Sequence, residues 1–211
     1  MRSSRLALLL ALCLVGGAPA ARAKVYFSRS EALELAFPEA DRIERENLVL
    51  SDEQLEAIQS KARARVDSKL VTVYKGVGQG RVLGYAFIDI HTVRTLPEAF
   101  LVVLSPEGRV RTLRVLAFYE PEEYRPAERW LQQFEHTEAG GLEAVLRVGG
   151  GIHGIAGSTL SARAVTGGVR RALAMFEVLV RPGLAPGAAT AAAPETRGPP
   201  AASVGPGGIG R

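Results

Sequence analysis

The chain has 211 residues, 47% of them hydrophobic, with 26 basic and 22 acidic residues and a formal charge of +4. The excess lies in the two flanks, and residues 24–181 carry no net charge. A neutral domain argues against partners held by a broad basic field, nucleic acid and polybasic membrane surfaces among them.

Arg2 and Arg5 precede an apolar run, Leu6 to Val15, that is too short to span a bilayer and is followed by small residues through Ala21-Arg22-Ala23. This pattern predicts a secretory signal peptide over 1–23. A single domain over 24–181 follows, then a tail over 182–211 of Pro, Gly and Ala with too little bulk to order itself. The expected location is therefore outside the cytoplasm, periplasmic or associated with the outer side of a membrane. Cys13 is the single cysteine and falls in the signal, so the mature chain is expected to hold no disulfide and no thiolate metal site.

Ser28-Arg29-Ser30-Glu31 has the spacing of a capping box and predicts a short helix ending before Pro38. Ile43 to Leu50 reads as a strand. Ser51-Asp52-Glu53-Gln54 is a second capping box, after which Leu55, Ile58, Ala62 and Val66 mark one helix face. Lys61, Arg63 and Arg65 fall on the other faces, where solvated charge is ordinary. Leu70 to Tyr74 and Val82 to Ile90 read as strands joined through Gly76-Val77-Gly78-Gln79-Gly80. A strand rather than a helix follows these glycines and no lysine accompanies them, so a hairpin is expected, not a nucleotide loop. Phe100 to Leu104, Ser105-Pro106-Glu107-Gly108 and Val110 to Phe118 form a second hairpin. Three or four antiparallel strands result.

A short helix is predicted over Ala127 to Phe134, with Trp130 and Phe134 on one face, either packed in the core or stacked on a cofactor. Leu142 to Leu146 is too short to assign. Val165, Val169, Leu173, Phe176 and Val180 then give a helical stripe, with Arg163, Arg170 and Arg171 off it. The expected fold is α+β: an antiparallel sheet of hairpins packed against helices.

No catalytic residue and no metal ligand is assigned. His91, His136 and His153 show no metal-site spacing, and no Gly-x-Ser-x-Gly elbow surrounds Ser158 or Ser161. His91 and Arg94 lie in a polar segment, Asp89 to Glu98, that interrupts two apolar strands. Read as a loop, it offers His91 and Arg94 as binding residues, or as groups that merely fix the loop. The strongest feature is Gly149-Gly150-Gly151-Ile152-His153-Gly154-Ile155-Ala156-Gly157-Ser158-Thr159-Leu160-Ser161. It combines close backbone approach with small hydroxyls at a helix start, the makings of a phosphate site or simply of a helix cap.

His153 to Ser161 resembles the covalent-flavin motif of the FMN-binding domain family. Its members include the C subunit of the sodium-translocating NADH:quinone reductase and the G subunit of the Rnf complex. There the pattern Asp-x-x-Ser/Thr-Gly-Ala-Thr carries FMN, joined by a flavin transferase through its phosphate to the last threonine. Gly157 and Thr159 match, whereas His153, Ala156 and Ser158 depart from the pattern. Leu160 to Thr166 and the helix it opens also resemble the family, and Asp89 to Glu98 and Phe118 to Tyr124 before Trp130 are similar to a smaller secreted branch of it.

The resemblance implies an exported electron-transfer module with FMN attached at Thr159, or at Ser158 or Ser161 in its place. Gly157, Ser158, Thr159, Leu160, Ser161, His153, Gly154, His91 and Arg94 would form the cofactor site. The implied partners are the flavin transferase and membrane or periplasmic redox proteins. Two other readings stand beside it. One is a non-redox interaction domain that kept the fold without flavin. The other is a small flavin-dependent reductase with His91 or Arg94 positioning its substrate.

Overall fold

The structure, a computed structural model, describes residues 24–138 and 147–184. The expected signal over 1–23, Leu142 to Leu146 and the expected tail beyond Leu184 lie outside the described residues. Among the described residues six strands form one sheet: β1 (Lys24–Val25), β2 (Arg42–Val49), β3 (Leu70–Gly78), β4 (Arg81–Thr92), β5 (Pro97–Leu104) and β6 (Val110–Phe118). Their order is β1-β6-β5-β4-β3-β2, and every neighbouring pair is antiparallel. Among the described residues four α-helices accompany the sheet: α1 (Arg29–Ala36), α2 (Asp52–Ala62), α3 (Glu128–Leu131) and α4 (Thr159–Met175). The molecule is thus the α+β domain expected, with six strands where three or four were foreseen.

Both capping boxes form. Ser28 Oγ accepts the Glu31 N–H while the Glu31 carboxylate accepts the Ser28 N–H, and Ser51 and Gln54 repeat the exchange at α2. Each pair satisfies donors that a helix start otherwise leaves bare. Helix α2 stops at Ala62, so Val66 reaches the core from the following loop rather than from the helix. The β3–β4 turn consists of Gln79 and Gly80, both at positive φ, the two-residue geometry whose twist matches a hairpin. Gly76 and Gly78 belong to β3 itself.

Period-two alternation sorts the strands onto two faces. Tyr85 and Phe87 of β4, Phe100, Val102 and Leu104 of β5, and Leu113 and Val115 of β6 share one core with α2 and α4. Tyr74, Ala86, Leu101, Val103 and Leu116 point the other way, under Ala32 and Leu33 of α1. The α4 stripe lands as its spacing predicts. Val165, Val169, Leu173 and Phe176 are buried, and fully burying each such side chain contributes roughly 1.5–3 kcal/mol. The helix continues as a π turn over Phe176–Val180 and a 3-10 turn over Arg181–Leu184, a short way into the stretch expected as tail.

One expectation is corrected. The polar segment Asp89 to Glu98 is not a loop at its ends. Strand β4 runs to Thr92 and β5 starts at Pro97, pairing His91 with Glu98. The alternation Tyr85, Phe87, Asp89, His91 carries on into polar residues, so Asp89 and His91 face the α4 core. Only Val93 to Leu96 turn the chain, with the Val93 N–H bonded to the Leu96 carbonyl.

Candidate functional site

The glycine and hydroxyl segment leads into α4 and is fixed mainly through its backbone. Ile152 is buried, and its N–H donates to the Arg147 carbonyl at 3.1 Å. The Trp130 indole N–H donates to the His153 carbonyl at 2.7 Å, and the His153 N–H donates to Gln133 Oε1 at 2.7 Å. Trp130 also meets Phe134 edge-on, with ring centroids 5.3 Å apart. The indole therefore packs and holds the loop at once, a role that helical spacing alone does not reveal. His153 and Gly154 are both exposed. Gly157 sits at φ +78°, a conformation that favours glycine, and its free side opens onto empty space.

The three hydroxyls beyond Gly157 differ in their surroundings. Ser158 is the N-cap residue of α4 but makes no side-chain cap. It is 4% exposed, and its Oγ–H donates to the Glu123 carbonyl at 3.4 Å. Ser161 is 1% exposed. Thr159, the first helical residue, is exposed, as is Leu160. No acidic residue occupies the first turn. The positive end of a 17-residue helix is thus left without a carboxylate or a side-chain cap, beside one accessible hydroxyl.

Arg94 is tied to this helix start through one short turn. The N–H groups of Arg94, Thr95 and Leu96 all donate to Glu120 Oε1, at 3.0, 2.7 and 2.9 Å. The Arg94 guanidinium lies over the Tyr124 ring, 4.9 Å from its centroid. Tyr124 closes the 3-10 turn Glu122–Tyr124, whose Glu123 carbonyl receives Ser158. That turn is braced by Glu122, which accepts from the Tyr26 hydroxyl and, at 2.6 Å, from Arg125 Nε.

His91 belongs to a different constellation under α4. Its Nδ1 is 2.7 Å from Asp89 Oδ2, and Arg171 of α4 donates to both Asp89 oxygens at 2.7 Å. His91 Nε2 is 3.4 Å from Glu98 Oε2, an ion-pair distance without an aligned hydrogen bond. Glu98 is fully buried and neither carboxyl oxygen has a hydrogen-bond partner among the described residues. Burial pushes the Asp89 carboxyl up, but hydrogen bonds from His91 and Arg171 outweigh it and hold the group below its ordinary value. Burial pushes His91 down, and its two carboxylate neighbours raise it above 6.5. Glu98 is raised by burial, which His91 only partly offsets.

Gly168 makes this packing possible: a Cβ there would sit 2.3 Å from the Phe100 ring and 2.7 Å from Asp89 Oδ2. A Gly-Gly pair inside a well-formed helix was the available sequence signal for such an approach. The partnership of Asp89 with Arg171, 82 residues apart, had none.

Two cavities flank the cluster. Strands β3 and β4 pair only from Tyr74 and Ala86 to their turn, and beyond that they diverge. The fork leaves a cleft of about 640 Å³ walled by Val71, Tyr74, Phe87 and Ile90, with Asp89 and Arg171 on its lining. On the other side of His91 lies a second cavity of about 480 Å³ under the solvent face of α4, lined by Arg63, Arg147, Arg163, Arg170 and Arg171. His91 and Arg171 border both. Arg163 stands four residues beyond Thr159, on the same face of α4 one turn along.

The structure therefore connects Arg94 with the helix start and sets His91 apart, beneath the middle of α4. Among the described residues no helix is long and apolar enough to cross a membrane, and no group of His, Cys, Asp and Glu is arranged to hold a metal ion. No family model matches the chain, and no curated protein matches it.

Proposed function

We propose that the chain is an exported flavoprotein domain that carries FMN as a phosphoester on Thr159 and passes electrons between membrane or periplasmic redox proteins. One observation carries the reading: of the three hydroxyls at the start of α4, Ser158 and Ser161 are buried and Thr159 faces solvent. A phosphoester keeps a negative charge, and the uncapped first turn supplies N–H groups and a positive dipole end with no competing carboxylate. Arg163 adds a cation one turn along. Gly157 at positive φ leaves room beside the acceptor for a bulky substituent.

When bound, FMN supplies reversible electron and hydride transfer, and the protein's part is to hold it and set its surroundings. Trp130 and Gln133 fix the loop that presents the helix start, and Ser158 anchors that start to the Glu122–Tyr124 turn. Attachment needs a flavin transferase able to accept His153 where the related motif has an acidic residue.

The test is expression of the full chain in the periplasm of a host making that transferase, then denaturation and a search for flavin that stays with the polypeptide. Flavin retained by the wild type and lost in Thr159→Ala is the expected result. A protein without added mass overturns the covalent reading, and a Thr159→Ala variant that keeps covalent flavin moves the acceptor elsewhere.

A further inference from the structure

The cavity beside His91 gathers arginines from three separate parts of the chain. Arg63 follows α2, Arg147 lies in the loop before α4, and Arg163, Arg170 and Arg171 come from α4 itself. A solvated charge run on one helix face would not converge in this way. Arg171 is neutralised by Asp89. Among the described residues, the other four have no carboxylate partner and no acidic residue lines the cavity.

Arg170 is half-buried, and its Nε has no hydrogen-bond partner among the described residues. Burial and then the charges of Arg63 and Arg147 lower its pKa. Like charges crowded into a concavity within an otherwise neutral domain repel one another until an anion enters. The floor is shaped for close approach: Ala164 and Gly167 present little side chain there.

We infer that this cavity is a binding site for a small molecule carrying two or more closely spaced phosphate or carboxylate groups. Guanidinium forks bind both kinds of group in bidentate fashion, and several forks without a carboxylate partner among the described residues call for more than one anionic group. The volume of about 480 Å³ suits a metabolite-sized ligand. The cavity shares Arg163 with the helix start but does not include Thr159 and does not depend on flavin attachment, so it can be probed in flavin-free protein.

Titration calorimetry of the full chain, made in a host lacking flavin transferase, tests it with inorganic pyrophosphate, citrate and inorganic phosphate at constant ionic strength. Pyrophosphate or citrate should bind one per chain and at least about tenfold more tightly than phosphate, and the tighter of the two identifies the anionic group. Arg163→Ala and Arg63→Asn should each weaken that binding on the order of tenfold to a hundredfold. Asparagine accepts the positive φ of +45° at position 63, so that variant removes the charge without straining the backbone. Arg81→Ala, at the start of β4 and outside the cavity, should leave binding unchanged. Three results overturn the inference: no binding of either polyanion, binding insensitive to both pocket variants, or a hexaglutamate peptide binding more tightly than the small anions.

Discussion

The middle and the start of α4 treat polar groups in opposite ways. Beneath the middle of the helix, Asp89, His91, Glu98 and Arg171 are taken out of water and set against one another at 2.7–3.4 Å. At its start, Thr159 is left in water, with an uncapped helix end and no acid in the first turn. Buried charges need partners to be tolerated at all, so the first region is committed to holding the fold. A positive helix end without an internal partner is free to take one from outside. The contrast makes substitution effects diverge: stability should respond at the first region and cofactor retention at the second.

The largest expected effect breaks the buried side. Asp89→Ala leaves Arg171 and His91 facing each other without their shared carboxylate, and loss of one partner of a buried pair costs about 3–5 kcal/mol. Urea denaturation should show it as a lower midpoint. A loss under about 1 kcal/mol would mean that the cluster is wet enough to make the pairing unimportant.

A smaller effect sharpens the same side through pH. His91 titrates above 6.5 in the fold, so its contribution is complete below that value and fades as pH rises through the folded pKa. Glu98, raised above 4.5, acts in the same direction. Asp89, lowered below 3.8, acts oppositely and only in acid. Melting temperature should therefore fall between pH 6 and pH 9, and His91→Gln should flatten that fall. A flat wild-type profile, or an unchanged slope in the variant, would sink the assignment.

The smallest stability effect is expected at the helix start. Thr159→Ala removes an exposed hydroxyl without a hydrogen-bond partner among the described residues, and its stability should stay within about 0.5 kcal/mol of wild type. Paired with loss of covalent flavin, that neutrality would separate a site residue from a structural one. A destabilisation like that of Asp89→Ala would erase the distinction between the two regions.

Local signals were legible in the chain. Ser28 with Glu31 and Ser51 with Gln54 announce helix starts because a capping box is closed by residues three apart. The α4 stripe announces its buried face because a helix repeats every few residues. The polarity of the Asp89 to Glu98 segment suggests a loop, and there the sequence misleads. Its alternation in fact continues the strand, and the polar side chains are admitted to the core by each other and by Arg171. Helical spacing offers Trp130 as a core residue or a ring stacked on a cofactor, while its hydrogen bond to the His153 carbonyl depends on a loop that no helical spacing describes.

By itself, then, the sequence determined the elements and their class: capping, turn chemistry and hydrophobic period are short-range properties written within a few residues. It also marked Gly157, Ser158 and Thr159 as a helix start of unusual composition. Only the tertiary structure decided which of the hydroxyls there faces water. Only it forked the sheet between β3 and β4, joined Asp89 to Arg171, and brought Arg63 and Arg147 to α4. Those outcomes depend on how α4 lies across the sheet, and Gly168 sets that by allowing the helix down onto Phe100 and Asp89.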